Sequence, residues 1–201
     1  MGRPKKASSE SAGNSYNDYV KGLEAKLLLY EAREEPQEEI IISQTDYIKV
    51  MSLLSHRLNL CTRERGQGKV YKFDNFGQVK KIIYSDLVDI LEVCHDFLES
   101  GFFIILSPKV VRLHGLDEAY TKILTKEKIE QILNGSDEGL ALYSSANEKQ
   151  QIAIVDLVID KMLANPDSVD LNMIDRLSRL SGVNISQKVE DTRFITKQKS
   201  E

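Results

Sequence analysis

The chain has 201 residues, of which 41% are hydrophobic, and a formal net charge of −4. This is enough for one domain with a buried core. The longest apolar run, Phe102 to Leu106, is much shorter than the roughly 20 residues that a membrane-spanning helix needs, so we expect no membrane partner. The two cysteines and the lack of an apolar segment after the basic N-terminus predict an intracellular protein without a disulfide framework.

The charges are distributed unevenly along the chain. Residues 1–13 are basic, residues 14–40 are strongly acidic, and residues 57–81 contain seven Arg and Lys against two carboxylates. The net charge argues against a protein coated with nucleic acid, but each basic segment is dense enough to contact a polyanion locally.

In chain order, the first predicted element is an amphipathic helix that follows the arm and ends before Pro36. Ile40 to Ile42 form a strand candidate, and Thr45 is suited to cap a second helix. The apolar face of that helix would comprise Ile48, Met51, Leu54 and Leu58. Two short β-like segments, 69–73 and 78–82, flank a turn at 74–77 and predict a basic β-hairpin.

Between residues 85 and 134 the patterns predict a third helix, a second hairpin and two short helices. Ser85 is suited to cap the third helix, and Gly101 to end it. The second hairpin would pair 102–106 with 110–113. The short helices would cover 116–124 and 125–133.

The C-terminal part is predicted to be a helical hairpin after a polar connection at 135–147. Ser145 and Glu148 have the spacing of a capping box, and Asp170 is suited to cap the second helix. The predicted organisation is a flexible arm at 1–13, an α+β core at 14–134, a helical hairpin at 145–185 and a polar tail at 186–201. The fold class is therefore mainly α, as an α+β fold with one or two central β-hairpins.

The first residues of the arm resemble the AT-hook, a minor-groove-binding motif centred on Gly-Arg-Pro. The resemblance covers Gly2, Arg3, Pro4, Lys5 and Lys6, and the openings of phage small-terminase subunits are similar to the same run. It implies that Arg3 lies in a narrow A·T minor groove while Lys5 and Lys6 neutralise phosphates. It also implies a viral or phage source and the host cytoplasm as location. The alternative is a solubilising tail.

The basic hairpin is the second candidate contact with nucleic acid. Its candidate residues are Arg63, Arg65, Lys69, Lys72, Lys80 and Lys81. A two-stranded ribbon enters a major groove, and exposed aromatic rings stack on unpaired bases. Alternation places Tyr71 and Phe73 on one face, where they could equally belong to the core.

A stripe of carboxylates on the third helix is a candidate surface for a protein partner. It comprises Asp86, Asp89, Glu92 and Asp96, spaced at three or four residues. The alternatives are a solvated helix face or a metal site. The His and Cys residues lack zinc-ligand spacing, and no catalytic arrangement has local support, so we expect no metal, no cofactor and no catalytic residues.

These features lead to a hypothesis of a DNA-associated accessory or regulatory factor without enzymatic activity. The alternative is an adaptor or inhibitor that binds a larger nucleic-acid machine, such as a polymerase or packaging motor, without touching DNA. A metal-dependent enzyme remains a third class, which would need the scattered carboxylates to converge in the fold. An oligomer is compatible with each of them.

Overall fold

The fold is known from a computed structural model, which describes residues 41–198. Its elements are β1 (Tyr47–Ser52), β2 (Leu58–Cys61), β3 (Val70–Phe73), β4 (Val79–Ile83), α1 (Tyr84–Val93), α2 (His95–Glu99), β5 (Phe103–Ile105), α3 (Pro108–Leu113), α4 (Asp117–Lys122), α5 (Lys126–Leu133), α6 (Asp137–Ser145), α7 (Glu148–Ala164), α8 (Leu171–Ser181) and α9 (Ile185–Gln198). The architecture is mainly helical and α+β, as the sequence predicts. The arm and the acidic helix predicted after it lie outside the described residues.

The central sheet has three antiparallel strands in the order β4, β1, β5. The prediction of a helix from Thr45 is therefore wrong, because Tyr47–Ser52 is the middle strand of this sheet. Burial along β1 alternates, with Ile48 and Val50 buried and Tyr47 and Lys49 exposed, which is the period of a strand. Ile41 and Ile42, two residues of the predicted strand at 40–42, lie outside any strand.

The hairpin that contains most of the basic residues pairs β2 with β3, and not β3 with β4 as predicted. The turn at 74–77 carries the chain from one sheet to the other. It is fixed on the end of β1, since the Ser52 carbonyl accepts a 2.8 Å hydrogen bond from Gly77 N and Ser52 N donates to the Gln78 carbonyl at 3.0 Å. These bonds direct β4 to β1, where Ile82 is buried opposite Ile48.

The third predicted helix is confirmed, but it is split at Cys94 into α1 and α2. The cap predicted at Ser85 is wrong, because the helix begins at Tyr84 and Ser85 lies inside it. Its predicted apolar residues Leu87, Ile90, Leu91, Cys94 and Leu98 are buried, while Phe97 is exposed. Gly101 follows with φ of +73°, the left-handed conformation expected after a helix C-terminus.

The second predicted hairpin is wrong. β5 pairs with β1, and the segment expected to return beside it is the helix α3. Pro108 occupies the first turn of α3, where a missing N–H costs nothing and the fixed φ favours a helix. The two short helices predicted next are confirmed as α4 and α5.

The polar connection predicted at 135–147 contains the helix α6, which Ser136 caps by accepting a hydrogen bond from Gly139 N at 3.0 Å. The residue that caps α7 is Asn147 and not Ser145, which lies in α6. The cap predicted at Asp170 is confirmed, with a 3.0 Å bond from Met173 N.

The helices α7, α8 and α9 pack together in the C-terminal part. Leu171, Ile174, Leu177 and Leu180 recur along α8 at helical spacing, and of these Ile174 and Leu177 are buried, whereas Leu171 and Leu180 are exposed. The segment expected to be a polar tail is helical over Ile185–Gln198. Val189 is buried against the other helices of this part, and Arg193 donates a 2.9 Å hydrogen bond to the Met162 carbonyl of α7. These apolar and polar contacts explain why a largely polar sequence forms a helix here.

The described core consists of two hydrophobic clusters. The first lies among the C-terminal helices and includes Ile104 from β5. The second lies between α1 and the two sheets and includes Val50, Leu60, Phe73 and Leu87. The basic residues of 57–81 therefore stand on a scaffold that has its own buried core.

Candidate nucleic-acid interface

The tip of the β2–β3 hairpin presents two arginines. Lys69 N donates to Thr62 Oγ1 at 3.0 Å, and Thr62 N donates to the Lys69 carbonyl at 3.1 Å, so the loop between them is closed at its base. Arg63 and Arg65 are exposed inside this loop and form no ion pair with a described residue. Arg65 has φ of +58°, the one positive value among the described residues other than glycine.

Lys69, the third predicted cation, is held at the base of the same loop. Its Nζ lies 2.6 Å from Asp86 Oδ2, and the Tyr71 hydroxyl donates to the same oxygen. The hydrogen bonds from Lys69 and Tyr71 lower the pKa of Asp86 below its usual value of 3.8, and the bond to Asp86 raises the pKa of Lys69. The charge of Lys69 is paired with that of Asp86, so Lys69 attaches the hairpin to α1. It is therefore less available to bind a phosphate than Arg63 and Arg65 are.

Lys72 and Lys80 have different surroundings. Lys72 is exposed on the outer face of β3, opposite Asn59, and has no described acidic partner. Lys80 is only partly exposed, and its Nζ lies 5.7 Å from the centroid of the buried Phe73 ring, which is a cation–π contact. Tyr71 is also partly buried, so the aromatic residues of β3 belong mainly to the core and do not form a base-stacking surface.

Lys81 faces another lysine across the sheet. In the register of β1 and β4 it lies directly opposite Lys49, and both are exposed. Neither forms an ion pair with a described carboxylate. The helix predicted from Thr45 to Leu58 identifies neither Lys49 nor the exposed Tyr47 on the same face. The sequence has no clear local signal for them, because Tyr47 and Ile48 are both apolar, and only the alternating burial of the strand places Tyr47 and Lys49 together.

The predicted acidic stripe does not form one continuous surface. Asp86 is engaged by the hairpin, Asp89 and Glu92 are exposed on α1, and Asp96 lies on α2 beyond the break at Cys94. Asp96 has ligand atoms within 4.8 Å of those of His95 and Glu99. All three residues are exposed, as acidic groups near helix ends commonly are without binding an ion.

The third group of predicted contacts, Arg3, Lys5 and Lys6, lies outside the described residues. No helix within residues 41–198 combines the length and the apolar character needed to cross a membrane. Comparisons of this chain with models of known protein families, with curated proteins and with solved structures find no match.

Proposed function

We propose that this chain is a DNA-associated accessory or regulatory factor that acts by binding and not by catalysis. The tip of the β2–β3 hairpin, with Arg63 and Arg65, contacts phosphates, and Lys72 of β3 extends the contact. The N-terminal arm adds Arg3, Lys5 and Lys6 as a second contact with DNA. The predicted viral or phage source is part of this proposal, and the resemblance of the N-terminal arm supports it.

The observation that carries the proposal is the pair of arginines at the hairpin tip. Some surface cations of this chain pair with a nearby carboxylate, as Lys122 does with Glu118 at 2.8 Å. Arg63 and Arg65 have no such partner among the described residues, although Glu64 lies between them in sequence. Guanidinium groups are the side chains best suited to bind phosphate oxygens in pairs.

The backbone of Arg65 supports the same conclusion. A side chain in the left-handed region costs about 1–2 kcal/mol relative to the right-handed one, a cost that glycine avoids. The neighbouring loop residues Gly66 and Gly68 adopt positive φ as glycines, with values of +74° and +76°. That an arginine stands at the strained position supports a role for its side chain in binding.

The experiment is fluorescence anisotropy with labelled duplex DNA at low and physiological salt. The intact chain should bind in a salt-sensitive manner, and Arg63→Gln combined with Arg65→Gln should weaken binding at both salts. Deletion of residues 1–13 should weaken it further. Lys128→Gln combined with Lys161→Gln is the matched control, because it removes two exposed charges from α5 and α7. Equal affinity of the tip variant and the intact chain would contradict the proposal.

A protein-binding adaptor is the second candidate, and one observation favours it. Asp89 and Glu92 are exposed one turn apart on α1 and have no described cationic partner. If they dock on a basic protein, Asp89→Lys with Glu92→Lys should abolish capture of a partner while the tip variant leaves capture intact. The reverse result would favour the DNA-associated factor.

A further inference from the structure

The sheet has one face that the rest of the described chain covers only in part. At one end of this face, Met51 of β1 and Ile104 of β5 pack against the cluster of C-terminal helices. Val79 of β4, directly opposite Met51, is nevertheless 42% exposed, and at the other end of the face Tyr47 of β1 is 65% exposed. Together with Lys49 and Lys81, Val79 and Tyr47 form what we call the open face.

The backbone hydrogen bonds of β1 determine how close the two lysines of the open face lie to each other. The Lys49 carbonyl accepts a 2.9 Å hydrogen bond from Leu106 N, so the backbone polar groups of Lys49 are directed toward β5 and away from β4. Lys49 and Lys81 are therefore a non-hydrogen-bonded pair, the type in which opposite side chains are nearest, with Cβ atoms about 4.5–5.5 Å apart.

Two like charges directly opposite each other destabilise a sheet. No described carboxylate neutralises this pair, so its repulsion is uncompensated within residues 41–198. A phosphate placed between the two ammonium groups would accept hydrogen bonds from both and reverse the sign of the interaction. The pair is thus complementary to a polyanion.

Tyr47 indicates which kind of polyanion fits. It lies two residues from Lys49 on the same face, and most of its side chain is in contact with solvent. An exposed aromatic ring beside phosphate-binding cations is the arrangement on which unpaired bases stack. In a duplex the bases are stacked on each other and a flat sheet face does not reach into a groove, so the ring would have no partner there.

The open face continues from Lys49 to Leu106, the residue that follows β5. Leu106 is opposite Lys49 and 39% exposed, and it lines an open cavity of about 390 Å³ together with Pro108, Arg112 and Tyr120. A nucleic-acid strand that crosses the lysine pair therefore meets a mainly apolar recess, whose lining also includes the cation Arg112 and the carboxylate Asp117.

We propose, on the premise that the protein binds nucleic acid at all, that the open face binds a single strand. Lys49 and Lys81 contact the phosphates, Tyr47 stacks on a base, and the recess beside Leu106 lies next to the path of the strand. Single-stranded DNA and single-stranded RNA present the same phosphates and unpaired bases, so both fall within this proposal.

The test compares labelled oligo-dT, oligo-rU and a DNA duplex of the same length by fluorescence anisotropy over a series of salt concentrations. Four variants are measured beside the intact chain: Tyr47→Leu, Lys49→Ala with Lys81→Ala, the tip variant Arg63→Gln with Arg65→Gln, and the control Lys128→Ala with Lys161→Ala. Tyr47→Leu should weaken single-strand binding about five- to 150-fold, the factor expected for one lost stacking contact. The double lysine variant should lower the salt slope by about 1.4, as two lost phosphate contacts on a single strand predict.

The outcomes separate this inference from the proposed function. Loss of single-strand binding in both open-face variants, with the control unchanged, supports the inference, and the ratio of oligo-dT to oligo-rU affinity then identifies the natural strand. If the intact chain binds and only the Arg63 and Arg65 variant loses affinity, the open face is excluded and the proposed function stands. A preference for duplex that Tyr47→Leu leaves unchanged also overturns the inference. Absence of any binding by the intact chain overturns both. Thermal unfolding midpoints that are not lowered verify that the exposed substitutions leave the fold intact.

Discussion

At the scale of single residues, the repulsion between Lys49 and Lys81 lowers the stability of the free protein, while the same two charges favour binding of a phosphate. The two ammonium groups face each other across adjacent strands without a described counter-charge. A pair of like charges that disfavours folding is tolerated when the two side chains bind a ligand. A phosphate bound between the two lysines would be such a ligand.

We therefore expect Lys81→Glu to stabilise the free protein. The substitution converts a repulsive cross-strand pair into an attractive one and should raise the free energy of unfolding by about 0.2–1 kcal/mol, while it weakens single-strand binding. Lys72→Glu is the control, because Lys72 faces the neutral Asn59 in the other sheet. Urea unfolding measures both variants. A lower free energy of unfolding for Lys81→Glu than for the control would show that the lysines are not in contact.

Arg65 is a second residue whose conformation conflicts with its type. Its φ of +58° favours glycine, so Arg65→Gly should raise the free energy of unfolding by up to about 1 kcal/mol. Arg63 has φ of −139°, and Arg63→Gly should therefore lower stability, as a matched change in the same loop. Both should weaken DNA binding. Equal effects of the two substitutions in urea unfolding would argue against backbone strain at Arg65.

The contact between Lys69 and Asp86 has a defined pH window. Because the pKa of Asp86 is lowered in the folded protein, its contribution is complete above 3.8 and is lost as the pH falls through the folded value. Because the pKa of Lys69 is raised, its contribution is complete below 10.5 and is lost as the pH rises further.

A double-mutant cycle with Lys69→Met and Asp86→Asn, repeated over pH, measures this coupling. We expect a plateau between pH 3.8 and 10.5 and a decline on either side. The exposed pair of Lys122 and Glu118, spaced by four residues on a helix, is the comparison, and we expect a smaller coupling for it because solvent screens both charges. A coupling for Lys69 and Asp86 that does not change below pH 3.8 would show that the ion pair does not hold the hairpin on α1.

At the scale of elements, the helices could be predicted because the residues that form them are close in sequence. The cap at Asp170, the stop after Leu133 and the apolar positions of α1 are local signals. The strand β1 could not be distinguished in this way, because Ile48, Met51 and Leu54 fit a helical period as well as they fit part of a strand. Its partner β4 lies about thirty residues later, and only the pairing with it determines which interpretation holds.

The same distinction applies to the candidate interface. Arg63, Arg65, Lys72 and Lys81 could be identified from the density of cations alone. The contacts of Lys69 and Lys80 within the protein could not be identified from the sequence. Tertiary packing alone brings their partners, Asp86 and Phe73, close to them. Tyr47 and Lys49 depend on the strand register and were missed for that reason.

The close packing of α5 against α6 yields a prediction at this scale. A Cβ at Gly139 would lie well inside van der Waals contact of the Gln131 carbonyl, a backbone atom that cannot move aside. In an ordinary helix Gly→Ala stabilises by about 1 kcal/mol, but here we expect Gly139→Ala to lower the free energy of unfolding by about 1–3 kcal/mol. Glu138→Ala, at an adjacent exposed position, should change it little. Stabilisation by Gly139→Ala in urea unfolding would show that the two helices are farther apart.

At the scale of the whole molecule, function depends on the distribution of charge and not on its sum. The chain has a net charge of −4, yet the hairpin tip and the open face each present cations without described acidic partners. An acidic remainder suppresses binding of nucleic acid elsewhere on the surface, which restricts contact to these places. The two contacts that we propose, one for the phosphates of a duplex and one for a single strand, would suit a factor that acts where a duplex opens.

The measurement that tests the central claim most directly is the salt dependence of duplex DNA binding by the intact chain and by the variant with Arg63→Gln and Arg65→Gln. If the hairpin tip contacts phosphates, the slope of log association constant against log salt should fall by about 1.8 in the variant, the value for two lost contacts on a duplex. The control with Lys128→Gln and Lys161→Gln should keep the slope of the intact chain. An unchanged slope in the tip variant, or no binding by the intact chain at low salt, would contradict the account.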